Sequence, residues 1–106
     1  MSRAGGRHTI LLLQKGDTKS RTYLDFESMT QAYDYVVGMY EQRLKELNPS
    51  RKHMEYDVTD LFAFMDALTD LSALVYHPES GMYEPGGKEW LKGQIFEHLK
   101  KAAGGR

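Results

Sequence analysis

Hydrophobic positions first crowd together at Ile10-Leu11-Leu12-Leu13, inside the short stretch His8–Gln14. Lys15–Lys19 follows as a polar loop with a glycine, and Arg21–Leu24 brings Thr22 and Tyr23, residue types that favour extended backbone. Two extended runs around a Gly-containing loop predict a β-hairpin. From Ser28 the period changes. Met29, Tyr33, Val36, Val37, Tyr40, Leu44 and Leu47 recur at three- and four-residue steps, the stripe of an amphipathic helix. Two residues compete for its N-cap: Ser28, with Gln31 completing a capping box, and Asp25, for which Leu24 and Met29 would be the staple. Asn48-Pro49 ends the helix, because a proline disfavours α geometry in the residue before it. Ser50–Glu55 reads as a charged loop.

Asp57 predicts the cap of a second helix, with Tyr56 and Leu61 spaced as a staple. Leu61, Phe62, Met65 and Leu68 mark its buried face, which runs to about Thr69. Ser72–His77 is a third strand, Pro78–Gly81 a turn and Met82–Glu84 a fourth strand, stopped by Pro85-Gly86-Gly87. Trp90, Leu91, Ile95 and Leu99 form the stripe of a third helix. The order β-β-α-α-β-β-α predicts an α+β fold, a four-stranded antiparallel sheet with three helices on one face. The predicted domain covers residues 8–101, flanked by small, basic, Gly-bearing tails at 1–7 and 102–106.

Two features exceed what such a fold needs. In the first strand Ile10 and Leu12 share one face and Leu11 and Leu13 the other, so both faces are apolar. A sheet covered on one side should alternate with polar residues. Either a loop or a second copy of the chain covers the extra face, which makes Ile10 and Leu12 candidate dimer contacts. On the first helix, Ala32, Tyr35 and Met39 form a second apolar strip, roughly 100° round from the core stripe by helical geometry. It is either a widened core face or a docking groove, and Tyr35 and Met39 are the candidate partner contacts.

Composition narrows the chemistry. The 106 residues include fourteen Lys+Arg against fifteen Asp+Glu, a net charge of -1. That balance argues against a broad electrostatic grip on phosphate backbones. No cysteine is present, which excludes disulfides, thiolate metal sites and a thiol nucleophile. The longest apolar run is far short of a bilayer span. His8, His53, His77 and His98 show no metal-ligand spacing and read as surface or loop residues. Asp57, Asp60, Asp66 and Asp70 read as a cap and a solvated helix face. Gly86-Gly87 reads as a turn before a helix rather than an anion site. No catalytic, metal-binding or cofactor-binding residue is assigned, and no cofactor is expected.

The ordered chain resembles the enhancer of rudimentary family. The resemblance is carried by HTILLLQ (8–14), SRTYLDFES (20–28), GMYEQRLKELNP (38–49), YDVTDLFAFMDALTDLSALVY (56–76), Tyr83-Glu84-Pro85 and KEWLK (88–92). It implies a mainly nuclear, non-enzymatic homodimer joined through its sheets, with the same element order. As an adaptor, such a protein binds segments of proteins of mRNA splicing, RNA elimination and microRNA processing, rather than RNA directly, and affects gene expression and the cell cycle. It also implies phosphorylation at Thr22, within the acidic-directed pattern Thr22-Tyr23-Leu24-Asp25, and sets Thr22 beside the dimer contacts. Ala32, Val37 and Ala73 stand where family members often carry cysteine, Tyr35 where a small residue is common, and Gly86 where a tyrosine is. The second reading, from another class, is a direct nucleic-acid-binding module using the tails and the Arg51-Lys52-His53 loop.

Overall fold

The computed structural model describes residues 7–14, 21–50 and 57–104. Four strands, β1 (Thr9–Gln14), β2 (Thr22–Phe26), β3 (Asp70–His77) and β4 (Met82–Gly86), combine with three helices, α1 (Met29–Leu47), α2 (Val58–Ala67) and α3 (Lys88–Gly104), in the order β-β-α-α-β-β-α. The strands form one antiparallel sheet of order β2-β1-β3-β4. β1 is therefore central, with Leu11 and Leu13 turned into the core and Ile10 and Leu12 on the opposite face. Leu11 faces Leu24 of β2 and Ala73 of β3, and Leu13 faces Thr22 and Leu71. Leu11, Leu13, Leu71 and Ala73, with Leu24 beside them, meet Tyr33, Val36 and Val37 of α1, Leu61 and Met65 of α2, and Leu91 and Ile95 of α3 in a single core.

Each helix is positioned by its ends. Ser28, not Asp25, caps α1: its Oγ accepts the Gln31 amide, while Gln31 Oε1 accepts the Glu27 amide. Asp25 lies inside β2, where extended pairing to Ile10 removes it from any cap. Asn48 closes α1 through its backbone and side-chain N–H groups, both donated to the Leu44 carbonyl. Asp57 and Asp60 form a reciprocal capping box at the start of α2. The Thr59 hydroxyl and the Asp60 amide hold the Asp57 carboxyl below its ordinary range. The Lys88 ammonium of α3 caps the other end of α2, donating to the carbonyls of Leu68 at 2.9 Å and Asp66 at 3.3 Å.

Several expectations are revised. Ala32 is buried in the core, which decides at that position for the widened inner face of α1 over the groove. Leu47, assigned to the core stripe, is 61% exposed at the helix end beyond the sheet. β4 continues through Pro85 and Gly86; it is an edge strand, where a missing N–H need cost no ladder bond. α3 runs to Gly104, past the expected boundary at residue 101. Trp90 is not a core residue: its indole lies against Gly86, and a Cβ there would clash with the ring. The Tyr56 staple and the 51–53 loop lie outside the described residues.

The glycine under Trp90 gives a direct test. Gly86→Ala should displace the ring, lowering the melting temperature and red-shifting the fluorescence of the protein's one tryptophan. Gly87→Ala, with nothing within 4 Å of the added carbon, should change neither.

Candidate functional site

All three helices lie against the Leu11/Leu13 side of the sheet. The alternation of side chains therefore assembles the opposite face from Ile10 and Leu12 on β1, Tyr23 on β2, Leu74 and Tyr76 on β3, and Tyr83 and Pro85 on β4. Ile10 and Leu12 are half-buried at its centre, while Tyr23 is 65% exposed and Leu74 and Tyr83 are also exposed. Tyr76 and Tyr83 pack ring to ring at 5.2 Å. A polar rail crosses one end of the face: His8 Nε2 meets Asp25 Oδ1 at 2.9 Å, and His8 Nδ1 meets the Tyr83 hydroxyl at 2.6 Å. No described helix covers this face. Ile10 and Leu12 were legible in the sequence; Leu74, Tyr76 and Tyr83 were not singled out, although Ser72, Leu74 and Tyr76 alternate as the rule requires.

Thr22 does not belong with them. It pairs with Leu13 and shares the helix-side face with Leu24 and Phe26, where it is exposed. Thr22 therefore does not share a face with Ile10 and Leu12, since a strand turns successive side chains to opposite faces. A phosphate on Thr22 would stand on the helix side of β2.

The second surface is the outer strip of α1. Tyr35 is 39% exposed, and its ring packs on Phe26 of β2 at 5.6 Å. Met39, one turn on, is half-buried and lines a cleft of about 380 Å³ with Gln42, Arg43, Glu46, Phe64, Ala67 and Leu68. Its floor is apolar and its rim charged. Tyr35 and Met39 thus share a strip, but Met39 also packs on the core. Phe64 and Arg43 complete the cleft across α2 and α1; sequence periodicity alone could not pair those helices.

The remaining polar groups hold elements together. His98 Nε2 meets Asp34 Oδ1 at 2.7 Å, and the Tyr33 hydroxyl donates to Gln94 Oε1 at 3.0 Å, both joining α1 to α3. The Asp66 carboxylate on α2 raises the Lys92 ammonium pKa through a 3.0 Å hydrogen bond, with Glu89 adding to it. His77 bonds Glu84 at 2.9 Å beside the β3–β4 turn. Among the described residues, no group of three or more His, Asp or Glu side chains is arranged to hold a metal ion.

Sheet face and helix strip together define a small α+β module whose distinguishing features are two apolar surfaces on opposite sides of one sheet. A family model described as Enhancer of rudimentary matches residues 5–105. Enhancer of rudimentary homologs are similar along nearly the whole chain. The one from Arabidopsis thaliana is 47% identical over 100 residues, covering 93% of this chain and 92% of that protein. The one from Dictyostelium discoideum is 50% identical over 97 residues, covering 91% and 97%. A more distant homolog from Schizosaccharomyces pombe is 36% identical over 97 residues, covering 90% and 88%. The chain belongs to the enhancer of rudimentary family.

Two tyrosines one step apart on α1 separate core from surface. Tyr33 is 4% exposed, and burial pushes its phenol up to about 12 from an ordinary 10.0. Its neutral form is favoured in the folded state, so this contribution is complete below about pH 10 and is lost as pH rises toward 12. Tyr33→Ala should cost about 3–5 kcal/mol by denaturant unfolding, and Tyr33→Phe should abolish the most alkaline tyrosine titration. Tyr35→Ala should cost less than about 1.5 kcal/mol, the scale of one ring–ring contact.

Proposed function

We propose that the protein is a homodimeric, non-enzymatic adaptor. Two copies join through their open sheet faces, and the outer strip of α1 on each copy binds short segments of nuclear RNA-processing proteins. The observation carrying this proposal is the apolar sheet face centred on Ile10 and Leu12, which no described helix covers. Apolar patches of this kind mark interaction surfaces. A second copy is the natural cover, because a two-fold axis sets the same patch against itself and needs no other complementary surface. Full burial contributes roughly 1.5–3 kcal/mol per large aliphatic side chain, less for residues already half-buried.

With the sheet face occupied, the strip containing Tyr35 and Met39 is an apolar surface left for a partner. Tyr35 offers a large ring at small entropic cost, and Met39 can repack against different ligands. Splicing, RNA elimination and microRNA processing as partner pathways, a role in gene expression and the cell cycle, and a nuclear location follow from the family resemblance. Thr22, exposed on the helix side of β2, stays in this scheme as the phosphorylation site.

Sedimentation and partner retention test the two halves separately. Ile10→Arg and Leu12→Arg should each yield monomer or insoluble protein, since one substitution counts twice across a two-fold. Intact dimer from both variants would refute the sheet contact. Tyr35→Ala combined with Met39→Ala should keep the fold and the dimer, with a lowered melting temperature because Met39 also packs on the core, and lose RNA-processing partners. Salt-sensitive RNA binding by the purified wild-type protein would favour the nucleic-acid module instead.

A further inference from the structure

The two edges of the sheet differ. On β4, Pro85 has no N–H to give a further strand, Glu84 is tied to His77, and Gly86 lies under the Trp90 indole. β2 has no proline and no lysine, pairs with β1 residue for residue, and among the described residues has no strand on its outer side. A regular, unblunted edge is a template for another strand.

A row of α1 side chains runs beside that edge. Tyr35, Met39 and Arg43 are four residues apart, about 6 Å per step along the helix. Tyr35 touches Phe26, fixing one end of the row at the end of β2. Met39 and Arg43 line the cleft with Leu68, and the next residue, Thr69, donates its amide to Gln14 at the end of β1. Leu13 pairs with Thr22, so that part of the row lies toward the start of β2. Alternate side chains of an added strand recur about every 6.8 Å, close enough to keep step with three helix positions. Arg43 supplies the charge: its ion partner among the described residues, Glu46, stands at 3.9 Å, and the Arg43 side chain is 59% exposed.

We propose that β2 and this row capture an extended peptide by strand addition. The peptide lies antiparallel to β2 and carries the pattern apolar-x-apolar-x-acidic, meeting Tyr35, Met39 and Arg43 in that order. The proposal rests on the assignment of the α1 strip as the partner surface and specifies the conformation and chemistry of the segment bound. An antiparallel addition continues the pairing used throughout this sheet, with backbone hydrogen bonds giving affinity and alternate side chains giving specificity.

The probe is a fluorescent nonapeptide with a core of leucine, threonine, leucine, threonine and glutamate, titrated against the full chain by polarisation. N-methylation of alternate backbone amides, those turned toward β2, should weaken binding by about tenfold or more, the cost of a lost and blocked hydrogen bond. Methylation of the intervening amides should have little effect. Arg43→Glu should lose the glutamate peptide and accept one with lysine in that place. No binding, or preference for the reversed pattern, would overturn the proposal. So would equal sensitivity to every N-methyl group with binding still lost in Tyr35→Ala, Met39→Ala; the strip would then remain the partner surface but take a helix or coil. Methylation-patterned binding that survives the double substitution would instead remove the strip from the proposed function while leaving the edge as a strand-addition site.

Discussion

Everything in this fold is arranged around the central position of β1. A strand hydrogen-bonded on both sides can be reached only from above and below, so its side chains decide what lies on each face of the sheet. Leu11 and Leu13 draw all three helices to one face, each fully buried aliphatic side chain contributing roughly 1.5–3 kcal/mol. That burial leaves Ile10 and Leu12 on a face with no helix, flanked by Leu74, Tyr76 and Tyr83. The stability of the monomer and the apolarity of its open face therefore arise from one run of residues.

The perimeter is closed by polar contacts rather than by more core. Lys88 caps α2, Lys92 ties Asp66 to α3, and Asp34 and Tyr33 tie α1 to α3 through His98 and Gln94. Exposed pairs of this sort add little energy each, but they fix how the helices sit relative to one another. None of these links uses Tyr35 or Met39 of the outer strip, although Met39 also packs on the core. No buried side-chain nitrogen or oxygen among the described residues lacks a hydrogen-bond partner, so the core has no polar demand that a ligand would have to meet.

Much of the architecture was legible because period and caps are local signals. The onset of three-and-four spacing at Ser28, the Asp57 cap and the Gly81 turn, with its φ of 71°, each act within a few residues. The remaining positions depended on contacts that local periodicity does not reveal. Ala32 is core because of how α1 meets the sheet, and Trp90 leaves the core because Gly86 offers it a flat seat. Thr22 changes face because its parity is set by pairing with Leu13, while the resemblance had suggested the opposite side. Pro85 was misread as a strand breaker because only topology reveals that β4 is an edge. The candidate site divides the same way: Ile10, Leu12, Tyr35 and Met39 follow from periodicity, whereas the α2 half of the cleft requires knowing how two helices pack.

α1 shows how one element can serve stability and recognition without conflict. Residues two apart on a helix point about 200° away from each other, so Tyr33 and Tyr35 occupy opposite flanks. The first is locked by burial and a hydrogen bond to Gln94; the second leans on a single ring and stays partly in water. Substitution on the outer flank changes contact chemistry at small cost to folding, because few core contacts are lost there. The inner flank has no such freedom, since every change there opens a cavity or overfills the space above β1. One core can therefore be kept while the chemistry of the outer flank is changed at Tyr35.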